Sequence, residues 1–598
     1  MTACHSTPGS NGPAPTYSKD IAPIVLQRCA PCHHPGGSAP FALLDYESVR
    51  TRGRLVRTAV QKRFMPPWLP ETGEVAFAGD RHLSDSEISA FERWVDAGMP
   101  EGDRGARPAT PEFPDAWQLG EPDLVVRLPH AYTLPASGPD VWRNFVVPIP
   151  VTNSRFVKTI EVRPGSARFV HHAIMAIDET GSSRRRDALD PEVGFEGMDM
   201  GDAHMPDGSI LGWTPGMLPF PGIDDVRWQL DPGTDMVLQL HMVPSGKAET
   251  IDPVIGFHFA RAVDPGSPTY ALQLDADDQL DIPAEAADFT VTDAIVLPVD
   301  VELLAAYPHA HFLGKRVELV AALPDGRRRS LLRIERWDFK WQDVYRFANP
   351  VVLPRGTSVS LRWTYDNSSS NPRQVNHPVK RVTAGNRSSD EMAHLLLQMR
   401  LKTVDDRDLL KETHYAHLVQ KNPRNAKFLW ALGGVLKDRG RLPEAADYYR
   451  QALAVQPDYV SARINLGAVL MGQKRNADAI DQFRAALQLD PDNAGAHYDL
   501  AIAFTTTGRL EEAIREYREA IRCRPEFAPA HNNVGQLLVA TGHLDEALVH
   551  LREAARLLPE SANVHRNLGL ALQRHGDQAE AARELQRAEQ LGGAQQPR

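Results

Sequence analysis

Six side chains in the middle of this 598-residue chain could ligate a soft metal: His171 and His172, His241, the pair His309 and His311, and Met392. A thioether is a weak donor that favours Cu(I), and imidazole binds both oxidation states of copper. Hard cations would call for carboxylates, and structural zinc would usually call for thiolates. Five imidazoles and one thioether therefore point to redox copper chemistry.

A second redox signal lies upstream, in Cys29-Ala-Pro-Cys32-His33. Two thiols at this spacing can add to the two vinyl groups of a heme, and the next histidine can ligate its iron. Zinc would need a second ligand pair, which the neighbouring residues do not supply. A redox dithiol would sit in a thioredoxin-like βαβ pattern, and none surrounds the motif. One covalently bound heme c is the expectation, with Cys29 and Cys32 as attachment points and His33 as an axial ligand. A sixth ligand would suit the iron to electron transfer. Met65, in Arg63-Phe-Met65-Pro-Pro-Trp68, is the best candidate and Met99 its competitor. The segment resembles a compact class I cytochrome c domain over roughly 85 residues.

The copper candidates depend on local backbone. In Val237–Val243, alternation sends Leu238, Leu240 and Met242 to one face and Gln239 and His241 to the other. In Tyr307-Pro-His309-Ala-His311, residues i and i+2 of an extended segment point the same way, so His309 and His311 can share one ion while Ala310 faces away. Adjacent residues on a regular strand face opposite sides. Joint ligation by His171 and His172 therefore requires a bulge or a strand end.

Arg163-Pro-Gly-(x)5-His171-His172-Ala, Leu238-Gln-Leu-His241, His309-Ala-His311-(x)2-Gly314-Lys315 and Ser389-Asp-Glu-Met392 together resemble the type II copper, ascorbate-dependent monooxygenases. Peptidylglycine α-hydroxylating monooxygenase and dopamine β-monooxygenase belong to that family. The resemblance covers residues 116–400, with the motifs in the family's order. It implies two β-sandwich domains, one copper each, facing a solvent-filled cleft. His171, His172 and His241 would hold an electron-storing copper; His309, His311 and Met392 would hold an oxygen-activating copper and form the catalytic centre. Gln239 would sit beside the path between the metals. The implied reaction inserts one atom of dioxygen into a C–H bond of a small substrate and reduces the other to water, using two electrons from a one-electron donor, ascorbate-like or a redox protein. The fused heme is the expected carrier, feeding the copper of His171, His172 and His241. The alternative is a non-catalytic heme and copper electron-transfer protein with a repeat-based interaction module. Peptide-hydroxylating members have an arginine where Tyr307 stands, and an asparagine and a tyrosine where His394 and Leu396 stand. An anionic C-terminal peptide is therefore not the expected substrate. The family's disulfides are missing too, since residues 116–400 contain no cysteine.

These ligands need a multidomain frame. Residues 1–16 are rich in Ser, Pro and Gly and read as disordered; 17–103 read as the cytochrome c-like domain, with an amphipathic helix over Ser84–Ala97. Residues 104–115 form a proline-rich linker. From 116 to 400 short alternating runs broken by Pro and Gly predict two β-sandwiches, divided as 116–262 and 263–400. Residues 405–595 repeat every 34 positions. Pro457, Pro491, Pro525 and Pro559 keep the period; so do Gly433, Gly467, Ala501, Gly535 and Gly569, and Ala445, Ala479, Ala513, Ala547 and Ala581. Tyr449, Phe483, Tyr517, Leu551 and Leu585 follow four residues after the last set. This resembles the tetratricopeptide repeat, an α-solenoid that binds a protein partner, with Cys523 expected to pack inside a repeat helix.

No apolar run is long enough to span a membrane. The net charge is −11 with dispersed basic residues, which argues against nucleic acid. Heme attachment demands export to the periplasm or extracellular space, yet Met1–His5 shows no export signal. A truncated or misassigned start is expected, with Cys4 a candidate lipid anchor.

Overall fold

The computed structural model describes residues 13–594 except 36, 38, 114–116, 166–168, 207, 262–263 and 388. Cys4 and most of the Ser/Pro/Gly-rich start lie outside the described residues. The chain divides into two compact units, Met1–Arg407 and Asp408–Arg598.

The first unit opens with tight helical turns, Tyr17–Ile21, Ala22–Ile24 and Val25–Cys29, followed by helices Tyr46–Gln61 and Asp85–Asp96. Both helices start where a side chain satisfies free N–H groups. Asp45 accepts from Ser48 N at 2.7 Å, and Ser84 forms a reciprocal pair with Glu87. Tyr17, Val49, Ile88, Phe91 and Trp94 share one core, and the Trp94 indole donates to the Pro100 carbonyl at 3.0 Å. Met99 packs there as well; a Cβ placed on Gly53 would lie 2.5 Å from its sulfur.

A β-rich region follows. A five-stranded sheet runs in the order Phe195–Glu196, Val141–Pro148, Asp235–Met242, Val170–Asp178, Gly212–Trp213. It packs on a four-stranded sheet of Leu124–Arg127, Val254–Phe259, Arg155–Arg163 and Trp228–Leu230. Phe145, Leu238 and Leu240 from the first meet Phe257, Ile255 and Leu230 from the second. Two further four-stranded sheets follow: Thr269–Asp275, His394–Arg400, Val301–His309, Tyr345–Leu353, and Phe289–Val296, Ser358–Tyr365, Gly314–Ala322, Arg328–Ile334. Buried Trp363 links them by donating from its indole to the His394 carbonyl at 3.3 Å.

The N-terminal helical segment is stitched to the second pair of sheets. Ala78 N donates to Arg346 O and Ala348 N to Ala76 O, each at 2.8 Å, and Arg81 pairs with Asp343 at 2.8 Å. Both partners of that ion pair are largely shielded from water.

The second unit is a series of paired helices from Ala426–Asp438 to Gln578–Ala594. Its 34-residue registers have a packing cause. A Cβ added to Gly433, Gly467, Gly535 or Gly569 would lie 2.8, 2.5, 2.6 or 2.7 Å from Tyr449, Phe483, Leu551 or Leu585 respectively. Each large side chain fills the space its small partner leaves. Pro457, Pro491, Pro525 and Pro559 follow the ends of helices closing at Val455, Leu489, Cys523 and Leu557. Cys523 is half-buried at such an end, beside Arg522 and Asp492 rather than inside the helix core. Among the described residues no helix is long and apolar enough to cross a membrane.

Candidate functional site

His171, His172 and His241 come from two neighbouring antiparallel strands. The pairing runs Val170↔Met242 and then His172↔His241, with a register shift between. That irregularity absorbs His171 and lets adjacent residues approach one neighbour. The His171 and His172 rings lie 5.2 and 5.1 Å from the His241 ring. Trp142, opposite His241 on the other neighbouring strand, stacks on its imidazole at 4.1 Å and 8°. Leu238, Leu240 and Met242 do enter the apolar core, but the other face is buried as well. Gln239 donates there to Asn144 Oδ1 and to the Met198 carbonyl, which ties its amide locally.

The nitrogens are sorted. His241 Nε2 donates to Asp140 Oδ2 at 3.0 Å, leaving Nδ1 with the lone pair. Nδ1 of His241 and Nδ1 of His172 are both buried without a hydrogen-bond partner. Buried polar atoms rarely stay unpaired, so these two nitrogens are open to a ligand, but the ligating atoms of His171, His172 and His241 do not all lie within 4.8 Å of one another. Burial lowers His241 to about 4, the Asp140 contact notwithstanding; it also lowers His171 and holds His172 well below the usual range, with neighbouring imidazoles adding to it. All three imidazoles are neutral at pH 7.

His309 ends its strand and His311 follows a buried Ala310; their rings are perpendicular, with centroids 5.4 Å apart. His309 Nδ1 donates to Gln342 Oε1 at 2.8 Å and His311 Nδ1 to the Asp390 carbonyl at 3.0 Å. Each hydrogen bond fixes the tautomer that leaves the lone pair on Nε2. Burial lowers His309 to about 3, with His311 and His394 adding to it, and lowers His311 as well. Met392, 9% exposed, stands two residues before the strand that pairs His394 with His309.

Sequence reasoning missed several residues that shape this set. Glu391 is fully buried; its Oε1 accepts the His311 N–H at 2.6 Å, and the carboxylate lies beside the N–H groups of Gly314 and Met392. It thus clamps both ligand segments. Phe339, from the short turn Phe339–Trp341, lies 6.4 Å from the His171 ring, 6.4 Å from His309 and 5.6 Å from His311. The two sets converge on this one ring, which occupies part of the space expected to be a solvent-filled cleft. Asp275, Asp277 and His394 bring their ligating atoms within 4.8 Å of one another, and His394 Nε2 donates to Asp277 at 2.9 Å. None of these contacts has a local signature, because each joins segments distant in sequence.

Cys29, Cys32 and His33 share one turn, with the N–H groups of Cys32 and His33 bonded to the Cys29 carbonyl. Both thiols are free, and burial together with Cys32 raises the Cys29 thiol to about 12. His33 Nδ1 donates to the Phe41 carbonyl at 2.9 Å, leaving Nε2 for a metal, and burial lowers its pKa. Met65 lines a cavity of about 570 Å³ together with Val60, Leu83 and Ile88 of the helical core, and with Trp341. Met99 is instead consumed in packing against Gly53 and Trp94.

Comparison with known proteins shows a class for the C-terminal part only. The family described as "Tetratricopeptide repeat" matches residues 412–460, 435–494 and 464–526, and "TPR repeat" matches 535–576. The C-terminal unit is accordingly a tetratricopeptide-type helical solenoid following a β-rich region. Among solved structures the chain is similar to MamA at 23% identity over 27% of this chain and 95% of that one, with TM-score 0.26. It is similar to MamA from Desulfovibrio magneticus RS-1 at 20% identity, over 29% and 97% of the two chains, with TM-score 0.27. It is also similar to YrrB, "a TPR protein with an unusual peptide-binding site", at 20% identity over 30% and 93%, with TM-score 0.27. No curated protein matches the chain.

Proposed function

We propose that this protein is a copper-dependent monooxygenase that hydroxylates a C–H bond of a small substrate and draws electrons through a fused c-type heme. One observation carries the reading: two sets of neutral imidazoles, sorted so that one nitrogen of each pairing histidine is left for a metal, converge on Phe339. His171, His172 and His241 would hold one copper, and His309, His311 and Met392 the other. Copper bound there would supply electrons one at a time to dioxygen, so that one oxygen atom enters the substrate and the other leaves as water.

The chain's own residues orient and shield. Asp140, Gln342 and the Asp390 carbonyl fix three ring tautomers, Trp142 stacks over His241, and Phe339 excludes water from part of the space between the sets. Asp275, Asp277 and His394 place carboxylates beside His309, which disfavours an anionic substrate and favours a neutral or cationic one. For the heme, Cys29 and Cys32 supply thiols, His33 a free Nε2, and Met65 a thioether in a cavity lined by apolar core residues. Covalent heme attachment places the protein outside the cytosol, and the repeats offer a surface for a protein partner.

Metal analysis of the reconstituted full chain tests the reading: two coppers and one heme per chain are expected. Oxygen uptake with a panel of small C–H substrates is expected from the wild type and lost in His309→Ala. A chain that takes up no copper overturns it.

A further inference from the structure

We infer that the electron path from the heme runs through Trp341 and Gln342 to the His309 imidazole, so that the His309, His311 and Met392 set is reduced directly rather than by way of His171, His172 and His241. The inference rests on the proposed function and changes one of its expectations, which sent the electron first to the His171 set.

Three contacts place Trp341 against the heme-attachment segment. Its ring meets Phe64, the neighbour of Met65, edge-on at 6.0 Å. It lines the same 570 Å³ cavity as Met65, Val60 and Ile88. On another side a Cβ placed at Gly216 would lie 3.6 Å from the Trp341 ring, and the Gly216 carbonyl stands 4.0 Å from Cys32 Sγ. Trp341 therefore touches what surrounds both the thiol that anchors a heme and the methionine offered as its ligand.

From Trp341 the path to His309 crosses one peptide bond, the Gln342 side chain and one hydrogen bond. Gln342, next in the chain, is 4% exposed and accepts from His309 Nδ1 at 2.8 Å through its side chain. Its own carbonyl accepts from Thr214 Oγ1 at 3.0 Å, which pins the segment to the Trp213–Gly216 loop beside Cys32. No comparable chain of bonds links Trp341 to the other set among the contacts of the described residues. His171 meets this turn through the Phe339 ring at 6.4 Å and through the charge of Lys340, neither of which is a bonded contact. A covalent and hydrogen-bonded route conducts an electron better than a gap between rings. The step balances without a proton: heme iron(II) becomes iron(III), and copper(II) in the His309 set becomes copper(I).

Flash photoreduction of the heme in the oxidised, anaerobic full chain tests this, with the heme absorption band followed in time. A first-order decay independent of protein concentration is expected, accompanied by loss of a copper(II) signal. That decay should persist in His172→Ala, slow by an order of magnitude or more in Trp341→Leu and in Gln342→Ala, and recover in Trp341→Phe. Heme spectrum and copper count in each variant separate a slow path from a misfolded one. Decay lost in His172→Ala but unchanged in Trp341→Leu and Trp341→Phe overturns the path. So does a chain that holds heme and both coppers yet shows no intramolecular decay, which leaves the monooxygenase reading standing with another donor. A chain without copper overturns the monooxygenase reading itself.

Discussion

Glu391 shows how one buried carboxyl can organise the segments that carry His311 and Met392. It receives the His311 N–H and lies beside the N–H groups of Gly314 and Met392, and burial raises its pKa well above the ordinary carboxylate range. In Glu391→Ala those donors lose their acceptor inside the protein. An unsatisfied buried donor costs about 1–3 kcal/mol, so the variant is expected to lose roughly 3–5 kcal/mol, seen as a lower urea midpoint of the first unit. Glu391→Gln keeps an acceptor oxygen of the same shape and is expected to lose much less. If both variants unfold at the wild-type midpoint, Glu391 is not the clamp. The same logic explains what the sequence disclosed of the site. His171, His172, His241, His309, His311 and Met392 stand out as candidates because ligand chemistry marks them one by one. Glu391, Trp142, Asp140 and Phe339 do not, because they act through contacts 30 to 100 or more residues away, or through burial, neither of which has a periodic trace. The bulge at His171 was legible only as a requirement: two adjacent histidines demand it, and nothing in the local composition dictates it.

Among the elements, the repeat helices were the most legible, because their packing rule recurs at one spacing. Gly467 and Gly434 separate the two roles a helical glycine can have. Exchange of glycine for alanine inside a helix gains about 1 kcal/mol where there is room. At Gly434 the nearest atom to a new Cβ is the Tyr449 hydroxyl at 3.7 Å, so Gly434→Ala is expected to be tolerated or mildly stabilising. At Gly467 the Phe483 ring stands 2.5 Å away, and overpacking should outweigh the gain, for a net loss of about 1–3 kcal/mol. Helical circular dichroism during thermal melting ranks the two, and equal melting would refute the packing rule. A second periodic device carries a pH signature. His497, His531 and His565 each bond the carbonyl of the proline six residues before, and face Glu516, His550 and Glu584. For His497, burial pulls the pKa down but Glu516 and the Pro491 carbonyl outweigh it, so the net shift is upward. Its contribution is full below about pH 6.5 and fades as pH rises through the folded value. For His550, burial and His531 push the pKa down, against a smaller pull from Glu546. Its contribution is full above about pH 6.5 and fades as pH falls towards the folded value. His550→Glu should therefore melt higher than wild type at about pH 5.5, with a smaller difference at about pH 7.5. A difference that grows with pH instead would contradict this pairing.

At the scale of the whole molecule, the chemistry and the repeats occupy separate compact units. Every candidate ligand lies before residue 400, within Met1–Arg407. Among the described residues, the apolar clusters of the first sandwich and the N-terminal helices lie in the first unit, and those of the repeats lie in the second. The break falls near the start of helix Val404–Lys421, whose buried residues Leu410, His414 and Leu418 lie in the second unit. Independent cores imply independent stabilities, because cooperativity is carried by shared buried contacts. A chain ended after Lys402 should therefore take up heme and copper at whatever stoichiometry the full chain shows, while losing any partner held by the repeats. Denaturant unfolding of the full chain should show two transitions, of which only the one lost on truncation follows helical circular dichroism closely. If the shortened chain binds heme but no copper, the repeats are needed to assemble the His171 and His309 sets. The six ligands would then depend on contacts that the separate cores do not contain, and the division of labour would be wrong.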